Sequence, residues 1–117
     1  MKKPIIHLAL DDQETIRDSL PNPQILGKLA YFYSMFSDST RLKILISLLL
    51  KEMCVNDLSH LLNINQTTIS HQLKILKSNG AVTTTRSNKY IFYKVTDKFI
   101  NNIMVNGVDY ILKQKSQ

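Results

Sequence analysis

The sequence predicts a mainly α domain with one β-hairpin, an α+β arrangement in the order α-α-α-α-β-β-α. Three observations predict it. Between residues 26 and 76 apolar side chains recur at three and four residues, the period of helices that bury one face. Around Ser87-Asn88-Lys89 that period gives way to β-branched and aromatic runs on both sides, as in two strands joined by a tight turn. Past Thr96-Asp97 the helical period returns.

Residues 1–21 read as an N-terminal arm, mixing charges of both signs (Asp11, Asp12, Glu14, Arg17, Asp18) before Pro21-Asn22-Pro23, a turn or helix-start signal. Residues 22–117 read as one domain. Its first helix carries Leu26, Leu29, Ala30, Tyr33 and Phe36 on one face. Ser37-Asp38-Ser39 offers an N-cap for the second. There Leu42, Leu45, Ile46 and Leu49 form a stripe, and Ile44, Leu48 and Leu50 make the helix apolar nearly all round. It is therefore predicted to be the buried centre. A short third helix turns Val55, Leu58, Leu61 and Leu62 inward, and Asn63-Ile64-Asn65 leads out of it. The fourth begins near Gln66 and stops at Asn79-Gly80, because glycine takes the left-handed conformation without Cβ strain. Two short helices across a tight turn make a helix-turn-helix.

The hairpin follows, with strands at 82–86 and 90–95 and Asn88 supplying the positive φ of the turn. Thr96-Asp97 then caps a last helix whose stripe is Ile100, Ile103, Met104, Gly107, Val108 and Ile111. The whole reads as a winged helix-turn-helix.

Fifteen Lys and Arg against nine Asp and Glu give the 117-residue chain a net charge of +6. Such a surplus favours polyanions through counterion release, or simply keeps a surface solvated, so its location decides. On the fourth helix Ile69, Leu73 and Leu76 point inward, which turns Thr67, Ser70, His71, Lys74 and Ser78 to the other side. That face carries no acid. Gln66, Thr67 and Thr68 stand at its N-terminal end, which a recognition helix points at base edges. Gln66 can pair bidentately with adenine, and a threonine can touch a thymine methyl. Lys74 and Lys77 suit phosphates.

Arg86 and Lys89 bracket the hairpin tip, with Lys94 near its base, and no acid lies between Asp57 and Asp97. A cationic tip can lie along a minor groove. The expected partner is double-stranded DNA; the alternative is a winged-helix module for protein or RNA, which usually lacks such a basic face. An enzyme is excluded by the lack of a Gly-rich phosphate loop, paired acids or a nucleophile elbow.

Cys54 is the only cysteine, so no internal disulfide forms and a reducing compartment is expected. The apolar stretch 5–10 is interrupted by His7 and is too short for a secretory leader. The run 44–50 contains Ser47 and falls far below membrane-spanning length. A soluble cytoplasmic protein with no membrane partner follows.

Three segments, Phe36-Ser37-Asp38-Ser39-Thr40-Arg41-Leu42-Lys43-Ile44-Leu45, Met53-Cys54-Val55-Asn56-Asp57-Leu58 and Thr68-Ile69-Ser70-His71-Gln72-Leu73-Lys74-Ile75-Leu76, resemble the ArsR/SmtB family of bacterial repressors. The similarity runs from about residue 26 to 112. It implies a homodimer that pairs its first and last helices, binds an imperfect palindromic operator, and lets go when an inducer binds, often a metal ion. The residues agree on the dimer. A stripe on a terminal helix has little left to cover once a small core closes, and Gly107 would let two such helices approach closely. The alternative is packing within the chain. Two-fold symmetry sets recognition helices about 34 Å apart.

The resemblance points to two metal sites. On the last helix the matching positions are Asp97, Phe99, Tyr110 and Lys113, of which only Asp97 can ligate, and it reads better as an N-cap. That site is expected to be absent. The second joins Cys54 and Asp57 to His7 and Asp11 on the arm of the other subunit. His, Cys and two Asp can hold zinc or another divalent transition metal tetrahedrally, as inducer. Other members carry a second cysteine where this chain has Asn56, which argues against cadmium, lead or arsenite.

The residues alone leave simpler readings open. His7 is then a mobile arm residue, Asp57 a first-turn acid favoured by the helix dipole, and Cys54 a semi-buried thiol. Cys54 is also a candidate oxidisable sensor, because helix N-termini favour thiolates. Any resolving thiol must come from another molecule, and His60 reads as a surface residue.

Overall fold

The computed structural model describes residues 3–115. Among them the elements run α1 (Leu10–Ser19), α2 (Pro23–Ser34), α3 (Ser39–Leu50), α4 (Val55–Leu62), α5 (Gln66–Ser78), β1 (Val82–Ser87), β2 (Tyr90–Val95) and α6 (Lys98–Lys115). From α2 onward this is the expected order. The addition is α1, inside the stretch expected to be an arm. Asp11 and Asp12 in its first turn and Arg17 in its last complement the helix dipole. The chain divides into two compact units, Met1–Tyr31 and Phe32–Gln117. Neither α1 nor α2 holds a buried residue.

In the second unit the core gathers around α3. Asp38 caps that helix as expected, its carboxylate accepting the Arg41 backbone N–H at 2.9 Å. Ile44, Leu45 and Leu48 are buried. Burial all round does not occur: Ile46 is 39% and Leu50 84% exposed. These two stand four residues apart and line a shallow groove together with Met104, Val105 and Val108 of α6, which leaves them only partly covered. Similarly, Leu61 of α4 is 58% exposed, because successive 100° steps carry it well off the line of Val55, Leu58 and Leu62. From the end of α2 the core takes Phe32, Met35 and Phe36. Leu26, Leu29 and Tyr33 of the expected stripe lie exposed.

Asn63 closes α4 in the left-handed region, at φ 55°, and Asn65 caps α5 by accepting the Thr68 N–H at 2.8 Å. The helix ends as the sequence predicts. Gly80 sits at φ 76°, with Gly80 N–H bonded to the Lys77 carbonyl at 3.0 Å and Ala81 N–H to Leu76 at 2.9 Å. This is a Schellman closure, in which two orphan carbonyls are satisfied at once.

The antiparallel pair β1–β2 runs in register from Val82↔Val95 to Ser87↔Tyr90, with Asn88 at φ 57° in the turn. Its base is fastened to the body. The Met53 N–H donates to the Tyr93 carbonyl at 3.2 Å, and the Met53 carbonyl accepts the Tyr93 N–H at 2.8 Å. Asp97 then caps α6, accepting the N–H groups of Phe99 and Ile100 at 3.0 and 3.2 Å. Along α6, Ile100 and Met104 are buried, while Val108 and Ile111 are 43% and 53% exposed.

Candidate nucleic-acid interface

Helix α5 is oriented by its buried side. Ile69, Leu73 and Leu76 have no exposed surface, and burying such side chains stabilises by about 1.5–3 kcal/mol each. With those three held inside, helical geometry turns Thr67, Ser70, His71, Lys74 and Ser78 outward. All five are exposed, as are Gln66 and Lys77. Thr68 differs, being half-buried on the flank of the helix, with its backbone N–H taken up by the Asn65 cap.

The wing extends the same chemistry. Arg86, Lys89 and Lys94 are exposed. The Lys89 ammonium lies 5.8 Å from the centre of the Tyr90 ring, within range of a cation–π attraction at the tip. Residues 58 to 96 contain no acid, so the stretch that carries α5 and the wing contributes donors and positive charge but no carboxylate of its own.

Sequence reasoning missed Arg41 and Gln72. The Arg41 guanidinium donates from Nη1 to Gln72 Oε1 at 3.1 Å, from Nε to the Met35 carbonyl at 3.0 Å, and from Nη2 to the Ser34 carbonyl at 3.3 Å. One signal points to it. A cation in the first turn of a helix opposes the dipole, so Arg41 needs bonds elsewhere to justify its place.

The expected metal residues fall into two pairs. The Cys54 thiol donates to Asp57 Oδ2 at 3.2 Å, and the same oxygen accepts the Cys54 backbone N–H at 3.2 Å. Asp57 thus acts as a first-turn acid closing the start of α4, while Cys54 is only 8% exposed. His7 and Asp11 belong to the first unit and are exposed. Among the described residues no three His, Cys, Asp or Glu side chains gather as a metal-holding group. His60 is exposed.

Beside α6 lies an apolar groove of about 440 Å³, lined by Phe36, Leu42 and Ile46 on one side and by Gly107, Val108 and Ile111 on the other. Among the described residues a Cβ at Gly107 would meet nothing within 4 Å, so none of them requires glycine there. Among the described residues no helix is long and apolar enough to cross a membrane.

A helix-turn-helix with a polar, cationic outer helix, followed by a basic β-hairpin, defines the winged helix-turn-helix class. The family model for bacterial regulatory proteins of the arsR family matches residues 38–84. A transcriptional repressor SmtB homolog of Synechocystis is 29% identical over 112 residues, covering 93% of this chain and 81% of that protein. The arsenical resistance operon repressor of Staphylococcus aureus is 33% identical over 79 residues, or 68% of this chain and 76% of that one. The chain belongs to the ArsR family. Its fold matches a homodimeric winged helix-turn-helix DNA-binding domain from Mycobacterium bovis with a TM-score of 0.71, at 22% identity over 82% of this chain and 90% of the other.

Proposed function

We propose that this protein represses transcription by binding a palindromic operator in duplex DNA as a homodimer, and releases it when an inducer binds. The observation that carries the proposal is the outward, acid-free face of α5, continued by the cations of the wing. On this reading Gln66, Thr67, Thr68, Ser70 and His71 meet base edges, Thr68 with less reach because it is half-buried. Lys74 and Lys77 hold phosphates, and Arg86 and Lys89 follow the flanking groove. Residues 1–21 act as an arm and 22–117 as the binding and dimerisation domain, working in the cytoplasm.

Two observations support the dimer. Leu26, Leu29 and Tyr33 on α2, and Val108 and Ile111 on α6, are large apolar residues left exposed. The M. bovis domain of the same fold is homodimeric. Pairing α2 and α6 with a second copy would remove that surface from water, at about 25 cal/mol per Å².

For the inducer we propose zinc or another divalent transition ion held by Cys54 and Asp57 with His7 and Asp11 of a second copy. The 3.2 Å approach of the Cys54 thiol to Asp57 supports this: it pairs a sulfur and an oxygen donor, two of the four a tetrahedral ion takes. Binding requires the thiol to give up its proton. The ion would supply charge and a cross-link between chains.

The test is direct. A duplex enriched by the purified protein from a random-sequence library is titrated by fluorescence anisotropy at rising salt. Affinity should fall steeply, and a flat response would favour a protein-binding module. Cobalt titration should produce thiolate absorption, and silence there would remove the metal proposal.

A further inference from the structure

We propose that Arg41 and Gln72 are positioning residues that set the rotation of α5 about its own axis, and so the aim of its outward face. The inference rests on the DNA-binding reading above.

A helix held only by apolar side chains is loosely specified. Ile69, Leu73 and Leu76 keep α5 against the core, but hydrophobic contact is non-directional and tolerates small rotations. A recognition surface does not, since functional groups must be held within roughly 0.5 Å and 10–20° of their working geometry. A directional bond to the flank of the helix supplies what the core lacks. Gln72 stands there, half-buried between the inward row and His71.

Its partner is well anchored. Arg41 spends Nε and Nη2 on the carbonyls of Met35 and Ser34, at 3.0 and 3.3 Å, leaving Nη1 for Gln72 Oε1 at 3.1 Å. Its backbone N–H is held by the Asp38 cap at 2.9 Å. The planar fork of a guanidinium makes these bonds mutually restrictive, and bonds to a charged donor are the stronger kind. One side chain therefore ties the end of α2, the start of α3 and the middle of α5 in a single rigid set.

The experiment compares the full-length protein with Gln72→Leu and Gln72→Glu. The probes are a duplex enriched from a random library by the unaltered protein and a scrambled duplex of equal composition. Leucine removes the acceptor, so the affinity ratio between probes should fall about tenfold, the discrimination carried by about one base pair. Affinity for the scrambled duplex and its salt slope should hold. Glutamate still accepts from Arg41, so the ratio should stay within about twofold even where added negative charge weakens both complexes. Amide hydrogen exchange in the free protein should quicken along α5 with leucine and recover with glutamate.

An unchanged ratio with leucine overturns the inference. So does equal loss on both probes, or a glutamate variant as impaired as leucine, which would make Gln72 itself a base contact. A protein that enriches no sequence refutes operator reading and this role together. Unaltered α5 exchange in the leucine variant refutes the Arg41–Gln72 link alone.

Discussion

Replacing Lys74 by alanine should flatten the salt dependence of DNA binding by a calculable amount. Four of the exposed cations, Lys74, Lys77, Arg86 and Lys89, are the ones proposed to meet DNA. If each meets one phosphate in both protomers of a dimer, eight are neutralised and log affinity falls against log salt with a slope of about −7. Raising salt from about 50 to 200 mM then weakens binding about 10⁴-fold. Lys74→Ala removes two contacts, takes the slope to about −5.4, and reduces that loss to about 10³-fold. The α5 backbone should not change, because Lys74 packs no core. Fluorescence anisotropy on enriched and scrambled duplexes at several salt concentrations measures both slopes. Equal slopes for the two proteins, or a variant effect confined to the enriched duplex, would refute phosphate contact at Lys74.

Other substitutions test separate parts of the account. Leu73→Ala empties a site with no exposed surface and should cost about 2–5 kcal/mol, read from urea unfolding; a cost below about 1 kcal/mol would contradict the packing. Gly80→Ala meets no neighbouring atom within 4 Å but keeps φ at 76°, so left-handed strain alone should destabilise by about 1–2 kcal/mol; an equally stable variant would contradict that closure. Thr67→Ala should reduce discrimination at one or two base pairs and leave scrambled DNA unaffected, whereas equal loss on both duplexes would exclude direct readout. Cys54→Ser should abolish metal-induced release while sparing operator binding; retained induction would remove Cys54 from the inducer site.

Much of the fold was legible because its signals are local. The Asn79-Gly80 stop, the Asn88 turn and the Asp97 cap each depend on conformations set by one or two residues. The outward face of α5 followed from three inward residues and the helical period. Less legible were the exposures of Ile46, Leu50 and Leu61. Whether an apolar side chain is covered depends on which neighbours the chain brings to it, and periodicity names faces without naming partners. The helix within residues 10–19 was overlooked for a related reason: it buries nothing, so it leaves no apolar stripe of the kind that marked the others.

By itself the sequence determined the element types from α2 onward, which residues of α5 face outward, and the lack of acids from residue 58 to 96. These depend on periods, single-residue backbone preferences and charge, none of which needs a distant partner. Only the tertiary structure decided that Met53 would fasten the base of the wing at Tyr93, and that Arg41 would reach a residue 31 positions away on α5. Bonds between residues so far apart exist only after the core has closed, when packing brings donor and acceptor into line.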